Sequence, residues 1–334
     1  MRRAPGQHRD PVADAATPLP ADRRPGPGPI AILPEPREPF TSAVLSAGGT
    51  VAPLSDQTRG IIYLDEKDPS RLQVALEANP GIGWVQLPWA GVDAFADVLA
   101  AYADRPTPLW TSAKGAYAEP VAEHAVMLTL ALMRMIPEKS KSTTWAPKRL
   151  GISLYGRHVL IVGAGGVAAE TIRLLAPFET EITVVRRSPG DVAGADHTVL
   201  VSDLDSVLPD ADAVIIAAAA TGETSRLIGV RQLELMKPTA VLVNIARGGL
   251  VDSLALDASL RSGHLWGAGL DVTDPEPLPD GHPLWTAPRC VITSHCADTP
   301  EMVEPLLAER VKLNVAAFLG DGRFVGVVDP AAGY

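Results

Sequence analysis

Short apolar runs alternate with amphipathic segments along the first third of this chain. Strand-like runs begin at Ile30, Ile61 and Trp84, and helical segments follow at 70–78 and after Gly91. Strands that alternate with helices typically form parallel βαβ units. The pattern therefore predicts a parallel α/β sheet in this part of the chain.

The segment VAEHAVMLTLALMRM, residues 121–135, has no internal glycine or proline and is apolar on nearly every face. Such a composition predicts a long buried helix. A chain of 334 residues exceeds the size at which one hydrophobic core keeps growing, so we expect two domains bridged by this helix.

A second α/β unit opens at residues 157–163. Its predicted strands are HVLIVG, EITVVR, AVIIAAA, AVLVNI, GAGLDV and CVITS, and a final helix over 300–319 leads to a short strand at 324–328. Residues 1–29, by contrast, are rich in Pro, Arg, Asp and Ala without a period, which predicts a disordered tail. A translation start further downstream would explain this segment equally well.

The composition is that of a soluble globular protein, with 46% apolar and 20% charged residues. A net charge of −10 opposes binding to nucleic acid or to an anionic membrane surface. No apolar run reaches the roughly 18 residues of a membrane span. Two cysteines and the absence of an apolar signal segment favour the cytoplasm. No two histidines have the spacing of a metal site, so we expect no bound metal.

A glycine-rich turn, GAGGVA at 163–168, stands between the strand HVLIV and a helical segment. In that context it predicts a dinucleotide site, because Gly163 permits a tight turn and Gly165 leaves room for a pyrophosphate. The amides of the helix start, at Gly166 and Val167, would hold the anion. The alternative is an ordinary tight βα turn.

Arg186, Arg187 and Ser188 follow the next strand, EITVV, where a NAD-specific site places an acidic residue for the ribose hydroxyls. Two guanidinium groups and a hydroxyl suit a 2′-phosphate instead. Because charge-assisted hydrogen bonds contribute about 1.5–3 kcal/mol each, they would favour NADP(H) by a factor of ~100 or more. We therefore predict that NADP(H) is preferred and NAD(H) possible; the alternative is a solvated surface pair.

Three segments that follow predicted strands resemble the signatures of the D-isomer-specific 2-hydroxyacid dehydrogenases. They are NIARGGLVD at 244–252, GLDVTDPEP at 269–277 and VITSH at 291–295, and LPWAGVD at 87–93 adds to the likeness. The glyoxylate and hydroxypyruvate reductases of this family are the most similar. The resemblance implies reduction of a small 2-keto acid to a 2-hydroxy acid.

The resemblance assigns three catalytic roles. It implies that Arg247 binds the substrate carboxylate and keto oxygen, and that Glu276 and His295 form the acid–base pair. The same roles follow from the chemistry of the groups, because a guanidinium binds a carboxylate in a bidentate fork and an imidazole exchanges protons near neutral pH. A glutamate beside the histidine would favour the imidazolium and fix the ring.

The resemblance also implies roles for residues around this triad. Asp271 would contact the nicotinamide carboxamide, and the backbone at Ala90 and Gly91 would help to hold the substrate carboxylate. Ile245 and Ala246, which precede Arg247, are assigned to the coenzyme site.

The implied architecture is α/β, with two Rossmann-like domains of doubly wound parallel sheet. A coenzyme domain, 126–295, is inserted into a discontinuous flavodoxin-like substrate domain formed by 30–125 and 296–334. The family also implies a homodimer. Trp145, in the connector after the long helix, would enter a neighbouring active site, pack as a hydrophobe under the loop, or lie at the dimer contact without touching substrate.

The chain departs from the family pattern at Ser294, Ala219, Ser112 and Trp89. Ser294 replaces the usual proline before the histidine, so we expect a looser loop. Trp89 stands where smaller residues are common, and it would either narrow the pocket or stack on a larger substrate. Two other functions stay open: a dinucleotide-sensing protein with weak catalysis, and formate dehydrogenation, which the glutamate at Glu276 opposes because relatives with that activity carry glutamine.

Overall fold

The computed structural model describes residue 13 and residues 16–145, 150–320 and 322–332. The chain divides into two compact units. One, the discontinuous domain, contains the residues up to Tyr117 and those from Thr299 onward, and the other, the inserted domain, is Ala118–Asp298.

The secondary structure follows the alternation of strands and helices that the sequence predicts. In chain order the strands are β1 (Ile30–Leu33), β2 (Gly60–Tyr63), β3 (Trp84–Gln86), β4 (Leu109–Thr111), β5 (His158–Val162), β6 (Glu181–Arg186), β7 (His197–Leu200), β8 (Ala213–Ile216), β9 (Val241–Asn244), β10 (Gly267–Leu270) and β11 (Cys290–Ile292). The α-helices are α1 (Glu38–Ser46), α2 (Pro69–Ala78), α3 (Ala96–Ala100), α4 (Ala118–Met133), α5 (Ile136–Lys139), α6 (Gly166–Leu175), α7 (Leu204–Val207), α8 (Val230–Leu235), α9 (Ser253–Ser262) and α10 (Pro300–Leu319).

The sheet of the discontinuous domain is parallel, in the order β1-β2-β3-β4. Val51 forms a parallel bridge to Ile30 at the free edge of β1, and Val327 forms an antiparallel bridge to Thr111 on β4. Counting these bridges as short strands gives the order 2-1-3-4-5 with an antiparallel edge, which is the flavodoxin-like arrangement.

The inserted domain contains a seven-stranded parallel sheet in the order β11-β10-β9-β8-β5-β6-β7. This is the strand order of a dinucleotide-binding fold, 3-2-1-4-5-6, extended by one strand. Its central strands β8, β9 and β10 are buried along their whole length, because helices cover both faces of a doubly wound sheet. The prediction of two doubly wound α/β domains is confirmed.

Part of the predicted tail contacts the discontinuous domain. The backbone N–H of Leu19 donates to the carbonyl of Gly322, at 3.0 Å. Pro25 is buried, and a Cβ placed on Gly83 would lie 3.0 Å from its side chain. Residues 16–29 thus contact the discontinuous domain although their composition predicts disorder, because a proline ring packs as an apolar group and has no N–H to satisfy. Residues 1–12, 14 and 15 lie outside the described residues.

The longest helix among the described residues is α10, with 20 residues. Although such a length matches the thickness of a bilayer, no helix in the described ranges is both long and apolar enough to cross one.

Candidate active site

The sheet of the inserted domain changes its winding direction between β5 and β8. β5 pairs with β6 on one side and with β8 on the other. At such a switch point the connections leave in opposite directions and open a crevice beyond the carboxyl ends of the strands. The candidate residues of this domain all follow strand ends on this side, so the topology gathers them along one edge.

The glycine turn between β5 and α6 fits a dinucleotide. Gly163 has φ +120°, and a Cβ there would overlap the carbonyl oxygen of Ala217 on the neighbouring strand end. A Cβ at Gly165 would meet nothing within 4 Å, so space is open above the turn. Gly165 is also the N-cap of α6 and provides no capping side chain. The first-turn amides, at Gly166 and Val167, can therefore bind a pyrophosphate.

Arg186 ends β6 and is partly buried. One of its terminal nitrogens donates to the carbonyl of Gly190, at 3.1 Å, while its Nε is buried and has no hydrogen-bond partner among the described residues. Arg187 and Ser188 are exposed beside it. A buried guanidinium N–H without an acceptor fits an anionic ligand, since an unpaired buried donor is costly.

Arg247 follows β9 and is held by its own loop. The side chain of Asn244 donates to the carbonyl of Arg247 and accepts the N–H of Ala246, at 2.9 and 3.1 Å. The Arg247 guanidinium donates to the carbonyl of Ala246 at 2.8 Å. A Cβ at Gly248 would overlap the backbone of Thr273, so this loop packs closely on the one after β10. Ile245, in the same loop, is buried.

His295 and Glu276 meet as the sequence predicts. The Nδ1 atom of His295 lies 2.5 Å from Oε1 of Glu276, and Oε2 of Glu276 accepts the N–H of Thr273 at 3.3 Å. The two side chains are 46% and 40% exposed, which keeps them accessible to a ligand. The contact at Nδ1 leaves Nε2 as the ring atom that can exchange a proton with a substrate.

The backbone that presents His295 is strained. Ser294 and His295 have φ +50° and +54°, in the left-handed region that residues other than glycine rarely adopt. Each such residue costs about 1–3 kcal/mol and persists only where its surroundings hold it. The loop is thus not simply loosened by the missing proline.

Asp271 accepts several of the hydrogen bonds that stabilise this strained backbone. Its carboxylate is 2% exposed and accepts hydrogen bonds from the hydroxyl of Thr293 and from the N–H groups of Cys296 and Ala297, at 2.6, 2.9 and 3.2 Å. The structure therefore places Asp271 beneath the histidine loop. Its contact with the nicotinamide stays a prediction.

His124, on α4, belongs to the same cluster, which the sequence analysis missed. Its Nε2 atom lies 2.9 Å from Oγ1 of Thr293 and 3.4 Å from Oδ1 of Asp271. Burial is the main cause that lowers the pKa of this imidazole. The possible ligand atoms of His124, Asp271 and Cys296 lie within 4.8 Å of one another, so the expectation of no metal site stays a prediction.

A second missed residue is Asp298. Burial raises the pKa of its carboxyl to about 6, with the negative charge of Asp271 adding to the effect and the positive charges of His295 and Arg247 opposing it. Asp298 thus lies within electrostatic range of the predicted catalytic groups. No motif in the sequence indicates this position.

Ala90 and Gly91 belong to the discontinuous domain, in the loop after β3. Tyr117 braces this loop, because its hydroxyl donates to the carbonyl of Pro88 at 2.7 Å and its ring meets Trp89 edge-to-face at 5.9 Å. Ala90 is exposed at the loop surface. Trp89 therefore packs edge-to-face against a tyrosine of its own domain.

Several known proteins are similar to this chain. The family model of the D-isomer specific 2-hydroxyacid dehydrogenase, NAD binding domain, matches residues 126–297, slightly more than half of the chain. A Corynebacterium melassecola protein, named "Uncharacterized protein in proB 3'region", is 33% identical over 299 residues, which cover 88% of this chain and 96% of that protein.

Two further relatives carry more informative names. A glyoxylate reductase of Pyrococcus furiosus is 36% identical over 208 residues, which are 59% of this chain and only 62% of that enzyme. The crystal structure of a D-isomer specific 2-hydroxyacid dehydrogenase family protein from Aeromonas salmonicida superposes with a TM-score of 0.73 at 27% identity, covering 91% of this chain and 99% of that one. This chain belongs to the D-isomer specific 2-hydroxyacid dehydrogenases, a family of NAD(P)-dependent oxidoreductases.

Proposed function

We propose that this protein reduces a small 2-keto acid, similar to glyoxylate or hydroxypyruvate, to the D-2-hydroxy acid with NADPH as the preferred coenzyme. The observation that carries the proposal is the 2.5 Å contact between His295 and Glu276 at the sheet edge that also bears Arg247. Keto-acid reduction needs a cation for the carboxylate and a proton donor for the developing alkoxide, and these groups supply both.

In this proposal Arg247 binds the substrate carboxylate and polarises the keto oxygen, and the backbone at Ala90 and Gly91 adds to carboxylate binding. A bound nicotinamide coenzyme supplies the hydride that the keto carbon accepts. The keto oxygen then takes a proton from Nε2 of His295 and becomes the hydroxyl of the product. Glu276 holds Nδ1 of the ring and stabilises the imidazolium, which solvent restores after each turnover.

Reaction with a panel of substrates tests the proposal. Oxidation of NADPH and of NADH is followed with glyoxylate, hydroxypyruvate, pyruvate and phenylpyruvate, and the chirality of each product is determined. We expect turnover with the small acids and a D-product. His295→Ala should lower kcat by about 10²–10⁴ without changing coenzyme affinity. Tight coenzyme binding with no turnover of any keto acid would contradict the proposal and favour the sensing protein.

The coenzyme preference rests on Arg186. Its buried Nε without an acceptor supports binding of a 2′-phosphate, as does the absence of an acidic residue at this strand end. Arg186→Asp should therefore lower the ratio of kcat/KM for NADPH over NADH by about 10-fold or more, since one charge-assisted hydrogen bond to phosphate contributes about 1.5–3 kcal/mol. An unchanged ratio would reject this assignment.

We also propose a homodimer formed through the connector between α4 and β5. Four of its described side chains are large, apolar and exposed, namely Ile136 at 51%, Trp145 at 97%, Leu150 at 42% and Tyr155 at 62%. Exposed apolar side chains this frequent in one connector support an interface between subunits. Light scattering should give twice the mass of the chain, and Trp145→Ser should weaken the dimer. A monomer at micromolar concentration would contradict this part of the proposal.

A further inference from the structure

Four hydrogen bonds join the histidine loop, residues 293–297, to Asp271. Its carboxylate accepts from the hydroxyl of Thr293 and from the amides of Cys296 and Ala297, and its backbone carbonyl accepts the N–H of His295 at 2.6 Å. A carboxylate that receives this many donors is held in one orientation. The loop can therefore keep its strained backbone only while Asp271 keeps its position.

His124, on helix α4, holds Thr293 of this hydrogen-bond network in place. Because the hydroxyl proton of Thr293 is directed to Asp271, the hydroxyl oxygen is the acceptor in the 2.9 Å contact with Nε2 of His124. The imidazole therefore carries its proton on Nε2. Burial favours this neutral form.

The position of His124 makes it a firm support. The side chain is 13% exposed, and the flanking residues Ala122, Ala125 and Val126 of α4 are buried. α4 packs against β9, β10 and α6 of the same domain. A donor on such a helix has little freedom to move, so it holds Thr293 at a defined distance from the sheet.

We propose that His124 is a positioning residue for the catalytic step: through Thr293 and Asp271 it holds the loop that presents His295 to Glu276. This rests on the proposed function, in which His295 delivers the proton. Without the N–H of His124, the hydroxyl oxygen of Thr293 loses the donor that fixes its orientation. Its hydrogen bond to Asp271 then competes with other rotamers of Thr293. The loop then relaxes, and His295 moves away from the position in which Glu276 holds its Nδ1 atom.

Matched variants separate this role from general packing. His124→Leu removes the donor, while His124→Gln keeps an N–H near the position of Nε2. Thr293→Val removes the hydroxyl group that His124 contacts, and Thr293→Ser keeps it. This pair therefore makes the same comparison at the next residue of the network. We expect kcat for keto-acid reduction to fall by about 10-fold or more in the Leu and Val variants, because small misplacement of a catalytic group has effects up to ~100-fold. The Gln and Ser variants should stay within about threefold, and the Kd for NADPH should be unchanged in all four.

Hydrogen exchange of the loop gives a readout that needs no turnover. The amides of His295, Cys296 and Ala297 should exchange at least about 10-fold faster in His124→Leu than in the unmodified protein or in His124→Gln. If the unmodified protein reduces no keto acid, the proposed function fails. The exchange rates still test whether His124 holds the loop. If His124→Leu does not fold, the Thr293 pair gives the same comparison.

Three results would overturn the inference. Unchanged exchange together with unchanged kcat in His124→Leu would show that the loop does not depend on this donor. A His124→Gln variant as impaired as His124→Leu would show that packing, not the hydrogen bond, matters. In the double variant His124→Leu, Thr293→Val, losses that multiply would show that the two residues act independently, whereas one shared pathway gives a loss no greater than the larger single one.

Discussion

Ser294 carries a backbone conformation that proline cannot adopt. Its φ of +50° lies far from the value near −65° that a proline ring imposes. The family pattern led us to expect a looser loop from the missing proline, whereas the structure shows a different loop, held by the bonds to Asp271.

Restoring the proline should therefore harm this protein. Ser294→Pro is expected to lower the free energy of unfolding by about 1–3 kcal/mol, because the backbone and its bonds to Asp271 must rearrange. Ser294→Gly is the matched control and should stay within about 1 kcal/mol, since glycine accepts positive φ. Urea denaturation measures both, and a proline variant as stable as the glycine variant would show that the loop has another low-energy form.

Asp298 makes stability depend on pH. Burial raises its pKa from 3.8 to about 6 in the folded protein. A carboxyl group with a raised folded pKa binds its proton more tightly in the folded state, so its stabilising contribution is full below pH 4 and is lost as the pH rises through 6. Above that range the partly buried carboxylate destabilises the fold.

Asp298→Asn should remove this dependence. We expect the variant to exceed the unmodified protein in free energy of unfolding by about 1–3 kcal/mol at pH 7.5, and the difference to shrink as the pH falls towards 4. Urea denaturation at several pH values across this range provides the measurement. A difference that is the same at every pH would mean that charge at Asp298 is not the cause.

At the scale of elements, the turn between β5 and α6 separates two uses of glycine. Gly163 is required by the fold, because a Cβ would lie 2.6 Å from the carbonyl carbon of Ala217 and its φ is +120°. Gly165 is not, because a Cβ there meets no neighbour. The space next to Gly165 is empty on the side where the pyrophosphate is expected.

Alanine substitutions should therefore have opposite effects at the two positions. Gly163→Ala is expected to lower the free energy of unfolding by about 2 kcal/mol or more, through overlap and backbone strain. Gly165→Ala should leave stability within about 1 kcal/mol and weaken NADPH binding at least 10-fold, because the methyl group fills the anion position. Calorimetry and coenzyme titration distinguish them, and normal binding in Gly165→Ala would place the pyrophosphate elsewhere.

Elements with a strong local pattern could be predicted, and those stabilised mainly by distant partners could not. The buried strands β5, β8 and β9 follow directly from continuous apolar runs, and the final helix, 300–319, from a long segment between turn residues. β7 was missed because it is an edge strand whose four residues are all at least partly exposed, so it shows no apolar run. α1 and β4 were also missed.

The candidate site shows the same limit. Arg247, Glu276 and His295 stand in motifs, so their chemistry could be predicted before their positions were known. His124 could not be found in this way, because a histidine within an apolar helix is most often a core residue. Its partner Thr293 lies 169 positions away in the sequence. Only the packing of α4 on the sheet brings the two together.

On the scale of the whole molecule, the segment before β1 is part of the discontinuous domain. Leu19 is bonded to the backbone at Gly322, Pro25 is buried, and a Cβ at Gly28 would meet the side chain of Arg59. These contacts tie the start of the domain to its last segment and to its sheet.

Two shortened chains test this role. A chain that begins at Ile30 should unfold about 1–3 kcal/mol more easily than one that begins at Ala16, because it loses a buried apolar side chain and the backbone bond to Gly322. NADPH affinity should be equal in the two, since the glycine turn belongs to the inserted domain. Urea denaturation and coenzyme titration give both quantities. Equal stability of the two chains would mean that residues 16–29 form the disordered tail that their composition predicts. A loss of coenzyme affinity in the shorter chain would mean that this segment also stabilises the inserted domain.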